Sequence, residues 1–209
     1  MTTPCTRQEA LEHLKEHVHT DSLMKHSLAV EASMRHFARY YGEDEEYWGM
    51  VGLLHDIDYG EFPEEHLDHA PEMLRGYGFD EAFIRHVLSH GYNLRNQVEP
   101  IHPMEKVLYT VDELSGFITA CALVRPSKSV LDLEVKSVKK KFKQDSFAAA
   151  VNRGVIQDGA DRMGMPLEEV MAETILGLRE AADASTWGCT APNKGNPADS
   201  AIESAGLSI

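Results

Sequence analysis

Gly52-Leu53-Leu54-His55-Asp56-Ile57-Asp58-Tyr59 is the stretch whose reading decides the fold. An apolar helical run, Met50, Val51, Leu53 and Leu54, ends there in an adjacent histidine and aspartate at the rim of a buried helix. An imidazole and a carboxylate in that position are poorly hydrated, so a cation or a set of hydrogen bonds must compensate them. Taken alone, the pair reads as a helix end with a satisfied core histidine. Further His and Asp residues on helices before and after it turn the reading toward a metal.

Working outward, every apolar segment has helical phase. Thr6-Arg7-Gln8-Glu9 has the form of a capping box and opens a short helix through Ala10, Leu11, Leu14 and Val18. Asp21 or Ser22 caps a second helix from Leu23 to about Gly42, with His26 on its apolar side. Asp44 caps the helix that ends at His55 and Asp56. Beyond Pro63 a helix is predicted from Glu64 to about Arg75, carrying His66 and His69. Asp80 caps another, leading to His90 and Gly91. Pro103 opens a long apolar helix to Leu123 with Asp112 in its middle, where aspartate is a weak helix former and is seldom buried without a partner. Helices are also predicted over Leu131 to Phe142, Phe147 to Met163 and Pro166 to Ala182. No strand-like alternation occurs, so the fold class is all-α. Residues 1–182 read as one domain with its core at about 22–125. Residues 183–209, rich in Ser, Gly, Asn, Pro and Ala, read as an irregular tail that Trp187 can pin to the body.

The composition excludes several classes. With 34 acidic against 20 basic residues and a net charge of −14, the chain is not a general binder of nucleic acid or anionic membrane. No segment approaches the roughly 20 apolar residues that span a bilayer, and no signal-peptide core is present, so the expectation is a cytoplasmic protein. Oligomerisation is left open. The cysteines, Cys5, Cys121 and Cys189, are too few and too dispersed for a thiolate zinc site, so a metal must use nitrogen and oxygen. Eleven histidines supply them.

His26, His55, Asp56 and Asp112, from three helices, form one closed side of a metal site and leave positions for water and substrate. This order resembles the HD-domain superfamily of metal-dependent phosphohydrolases, with a histidine, an adjacent His-Asp pair and a distant aspartate, over roughly Ser22 to Arg125. His55-Asp56-Ile57-Asp58 is similar to the HDIG form of the motif, with Asp58 in place of glycine. Val111-Asp112-Glu113-Leu114, Ala122-Leu123-Val124-Arg125-Pro126 and Lys136-Ser137-Val138-Lys139-Lys140-Lys141-Phe142 look like a bacterial subgroup of predicted hydrolases. The resemblance implies an HD-domain-like helical bundle with added C-terminal helices. It also implies that two further histidines hold a second ion, with Asp56 bridging: His66 and His90 match best, and His69 and His86, which share their helix faces, are the alternatives.

The expected activity is cleavage of a phosphoester in a small phosphorylated molecule, nucleotides included, by water activated on one or two divalent ions. Fe, Mn, Zn and Mg are not distinguished by such ligands. Asp58 and Asp56 are the candidate catalytic groups. Arg125, Lys136 and Lys140, in the one concentrated basic stretch, are the candidate phosphate-recognising groups. Two rival readings use the same residues: a di-iron oxygenase and a non-catalytic metal- or nucleotide-binding regulatory module.

Overall fold

The computed structural model describes residues 2–183, and apart from Asp183 the expected tail with Trp187 lies outside them. Nine α-helices follow one another among the described residues, with no strand: α1 (Arg7–His17), α2 (Asp21–Tyr41), α3 (Glu45–Leu54), α4 (Ala70–Gly76), α5 (Glu81–Leu88), α6 (Pro103–Leu123), α7 (Val135–Phe142), α8 (Arg153–Met163) and α9 (Leu167–Asp183). Pro63–Glu65 and Ser89–Gly91 are single 3₁₀ turns. The caps are local. Thr6 and Glu9 make the expected capping box, and Asp44 and Asp80 accept from Tyr47 and Phe83 amides. For α2 the cap is Thr20, one residue ahead of the expected pair. Gly42 and Gly164 end α2 and α8 in the left-handed region.

The two 21-residue helices, α2 and α6, are the frame. α2 lies against α3, α6 and α9, and α6 against α8. Their common core runs from Ala10 to Leu178. Glycines set the closest approaches. A Cβ on Gly52 would come within 3.1 Å of the Glu31 Cα and the Val30 carbonyl, so α3 meets the main chain of α2. Gly49 lies beneath the Arg35 guanidinium. Arg35 and Arg7 share the buried Glu31 carboxylate, Arg7 through two bonds of 2.6 and 2.7 Å, which ties α1 to α2. Arg35 also makes a forked pair with Glu46 on α3, at 2.8 and 3.0 Å.

Past α3, Gly60 packs on the end of α1 so tightly that an added Cβ would lie well short of van der Waals contact distance from the His17 carbonyl oxygen. Because that neighbour is backbone, no rotamer change relieves the clash. Gly60→Ala is expected to cost about 1 to 3 kcal/mol, lowering the melting temperature by roughly 5 °C for a domain of this size. A melt indistinguishable from wild type in scanning calorimetry would contradict this packing.

Three predicted helices begin later than their apolar pattern indicated, each for a polar reason. Between Pro63 and Arg75 the helix is interrupted at residues 66–69, where Leu67 has φ 73°, because the Asp58 carboxylate captures the Leu67 and Ala70 amides. Before α7, Arg125 and Ser127 bind Asp132 and hold residues 125–132 in turns. Before α8, Arg153 donates to the carbonyls of Phe142, Gln144, Phe147, Ala148 and Val151, and its guanidinium stacks 5.1 Å from the Phe117 ring. Those carbonyls are therefore withdrawn from any helical ladder.

Candidate metal centre

Five elements bring the candidate ligands to one corner. α2 carries His26 in its second turn, His55 and Asp56 follow the last turn of α3, and α6 presents Asp112 from its middle. The broken segment after Pro63 supplies His66, and the turn after α5 supplies His90. One potential ligand atom from each of His26, His55, Asp56 and Asp112 lies within 4.8 Å of all the others, and the same holds for Asp56, His66 and His90. Asp56 belongs to both groups. Its Oδ2 faces His55 at 3.3 Å and His26 at 3.5 Å, and its Oδ1 faces His66 at 3.3 Å and His90 at 3.4 Å. Asp112 Oδ1 lies 3.0 Å from His26 Nε2 and 3.3 Å from His55 Nε2.

The histidine tautomers decide what this arrangement can hold. His55 Nδ1 donates to the Gly52 carbonyl at 2.8 Å and His90 Nδ1 donates to the Val87 carbonyl at 2.7 Å. His66 Nδ1 donates to Asp58 Oδ1 at 2.9 Å. A carbonyl or carboxylate oxygen can only accept, so each Nδ1 carries the proton and each neutral ring turns a bare Nε2 lone pair inward. His66 Nε2 and His90 Nε2 then face each other at 3.1 Å, as do His26 Nε2 and His55 Nε2. Lone pairs converging on carboxylates need a cation. A proton serves poorly, since it satisfies one pair of donors, whereas a divalent ion satisfies each group at once. The donor set, imidazole nitrogen and carboxylate oxygen without sulfur, fits a borderline or hard divalent metal.

The two carboxylates favour positive charge at this corner, whether a cation or protons on the rings supply it. Burial alone would lower the His55 pKa, but Asp56 and Asp112 raise it well above the usual imidazole range. Burial would raise Asp56, yet His55, with His90 and His66, holds it well below the usual carboxylate range. Asp112 is likewise held low, against burial, by His26 and His55. Next to it, burial pushes Glu113 up to about 8, helped by Asp112 and Asp56, while its carboxylate accepts the Asn152 amide and ties α6 to the start of α8.

Several expected roles change. Asp58, read as the catalytic acid or base, is wholly buried, and its two oxygens accept from His66, Leu67 and Ala70. It orients His66, and both of its oxygens are occupied by that ring and the two amides. Arg125, Lys136 and Lys140, read as phosphate-recognising, do not reach the corner. Arg125 is bound to Asp132 and Lys136 to Glu134, while Lys140 lines a separate cavity with Cys121. Cys121 lies nine residues beyond Asp112 on α6, which is ~13 Å along the axis and half a turn round the helix. His69 stacks on Phe62 and bonds Glu65, and His86 bonds the buried Glu105, so neither joins the ligand groups.

Two residues at the corner went unassigned in the sequence. The Tyr59 ring stands edge-on to His66, with centroids 5.1 Å apart. Its hydroxyl is pushed up by burial and then by Asp56, Glu64 and Asp112, and pulled down by Arg95, so all four lie within electrostatic reach of it. Arg95 donates to the Glu64 carbonyl at 3.4 Å, from the turn after His90 to the turn before His66. Tyr59 stands in the quoted stretch. Arg95 carried no signal, because only the fold brings its loop to the corner.

Against known families, the profile of the HD domain matches residues 23–116. No curated protein and no solved structure matches the chain.

Proposed function

Residues 23–116 make this chain a member of the HD-domain superfamily, and from that premise we propose that it is a metal-dependent phosphohydrolase acting on a small phosphorylated molecule, nucleotides included. The observation that supports this most is the convergence of imidazole lone pairs on both oxygens of Asp56. His26, His55, Asp56 and Asp112 would hold one ion, and Asp56, His66 and His90 a second. Divalent ions supply Lewis acidity toward a phosphoryl oxygen and lower the pKa of a bound water. The chain's own part is to fix the ligand lone pairs through the Gly52 and Val87 carbonyls and Asp58, and to keep the corner dry behind Leu53, Leu54 and Ile57.

Charge favours a phosphate monoester. The two aspartates offset only half the charge of two divalent ions, and the four imidazoles add none, so a dianionic head neutralises the remainder better than a monoanionic diester. The test is metal analysis of the purified protein together with phosphate release from a panel of phosphomonoesters. Two divalent ions per chain with metal-dependent release supports the reading. Bound iron with oxygen consumption and no phosphate release would move the chain to the oxygenase reading.

Arg95 is the cation placed to receive the outer phosphate oxygens. It is exposed and donates to a carbonyl at 3.4 Å, leaving the guanidinium fork available for an oxyanion. Arg95→Ala is expected to raise KM about tenfold with kcat within about twofold and the metal content unchanged. A fall in kcat at constant KM would remove Arg95 from substrate binding.

A further inference from the structure

Arg125 and Lys140, which do not reach the metal corner, line with Lys141 a cavity of about 380 Å³ at the far end of α6, within the size range of small-molecule sites. Ser137, Lys140, Lys141 and Gln144 of its lining recur at i, i+3, i+4 and i+7, so one face of α7 and its continuation forms a wall. Arg125 closes the opposite side. Neighbouring charges on α7 are matched, Lys136 by Glu134 and Lys139 by Glu168. Lys140 and Lys141 meet no carboxylate among the described residues, although acidic residues outnumber basic ones 34 to 20. Lys141 is instead held over the Phe147 ring at 4.6 Å, which fixes its ammonium without neutralising it.

The rest of the lining is apolar. Cys121, Val124, Pro126 and Leu133 form that part, and Val124 is 60% exposed, so the cavity pairs hydrocarbon with two unmatched lysines.

We propose that this cavity binds a small organic anion, a phosphate or carboxylate head on a compact apolar body, at a place separate from the metal centre. The head sits between Lys140, Lys141 and the Ser137 hydroxyl, and the body lies on Val124 and Leu133. The separation along and around α6 makes it a second site rather than an extension of the first, and the proposal depends on no feature of the metal reading.

The test uses the full chain as purified, and in parallel its Asp56→Ala variant so that turnover of the probe at the metal centre plays no part, observed by ¹H–¹⁵N NMR while hexyl phosphate, inorganic phosphate and hexanol are added in turn. Saturable shifts at the amides of Ser137, Lys140 and Gln144 are expected with hexyl phosphate. Binding at least tenfold weaker is expected with either half alone, since head and body each contribute about a tenfold factor. The Lys140→Gln, Lys141→Gln double variant should weaken hexyl phosphate about tenfold, with a slightly lower thermal melt from loss of the Lys141 contact with Phe147, whereas the exposed Lys140 changed alone to Gln should weaken binding and leave the melt unchanged. Shifts confined to residues around His55 and His90, the absence of saturation, inorganic phosphate binding as tightly as hexyl phosphate, or an unweakened double variant would each overturn the proposal.

Discussion

Asp56→Ala is expected to abolish phosphomonoester hydrolysis by at least about a thousandfold and to remove both ions together. The reason is geometric. Oδ2 serves the His26, His55 and Asp112 side and Oδ1 serves the His66 and His90 side, so a single truncation takes one ligand from each group. A second readout needs no turnover. Ions held at a hundred times their dissociation constant stabilise the native state by about 2.7 kcal/mol, so chelation should lower the melting temperature of the wild type and leave that of Asp56→Ala unmoved. Retention of either ion by the variant at full occupancy would refute the shared placement of this carboxylate.

Asp58→Asn is expected to separate the two ions. The carboxylate at 58 accepts the His66 Nδ1 proton and the amides of Leu67 and Ala70. An asparagine has one accepting oxygen for three donors. If that oxygen keeps the two amides, its NH₂ faces His66 and forces the other tautomer, which puts a proton on the ligand nitrogen. Loss of an orienting partner of this kind costs about 10- to 100-fold in metal affinity. The ion on the Asp112 side keeps all four of its ligands. Metal analysis after dialysis should therefore show two ions in the wild type falling to one in the variant, with both ions surviving in a control such as Arg95→Ala. Loss of both ions, or of neither, would separate Asp58 from the role described here.

Most of the architecture could be read from the chain because it is written in short-range terms. The apolar phase of α2, α3 and α6, the capping box at Thr6, and the caps at Asp44 and Asp80 act over a turn or two, and all appear at or near their expected positions. The His-Asp pair and Asp112 stood out because polar groups in apolar helices are locally anomalous. What escaped was long-range. Asp58 lies beside the motif, but its partners are eight to twelve residues away, so its proximity in sequence was mistaken for a catalytic position. Arg153 delayed the start of α8 by taking carbonyls between Phe142 and Val151, which no periodicity encodes. The basic run around Lys140 is conspicuous in composition, yet the half-turn between Cys121 and Asp112 directs it to the other side of α6. Arg95 was missed for the opposite reason: an isolated arginine in a polar loop becomes significant only once His66 and His90 are neighbours.

The contact of Gly52 with the main chain of α2 has a consequence for how the protein can vary. His26 and His55 are mounted on two rods separated by backbone thickness alone, so their spacing does not depend on the shape of interchangeable side chains. Substitutions elsewhere in the interior can accumulate and erode thermal tolerance while the aperture between these two imidazoles stays constant. Tuning of metal preference by drift is thereby channelled to the His66 and His90 side, which hangs on loops and can change its reach without disturbing the paired helices.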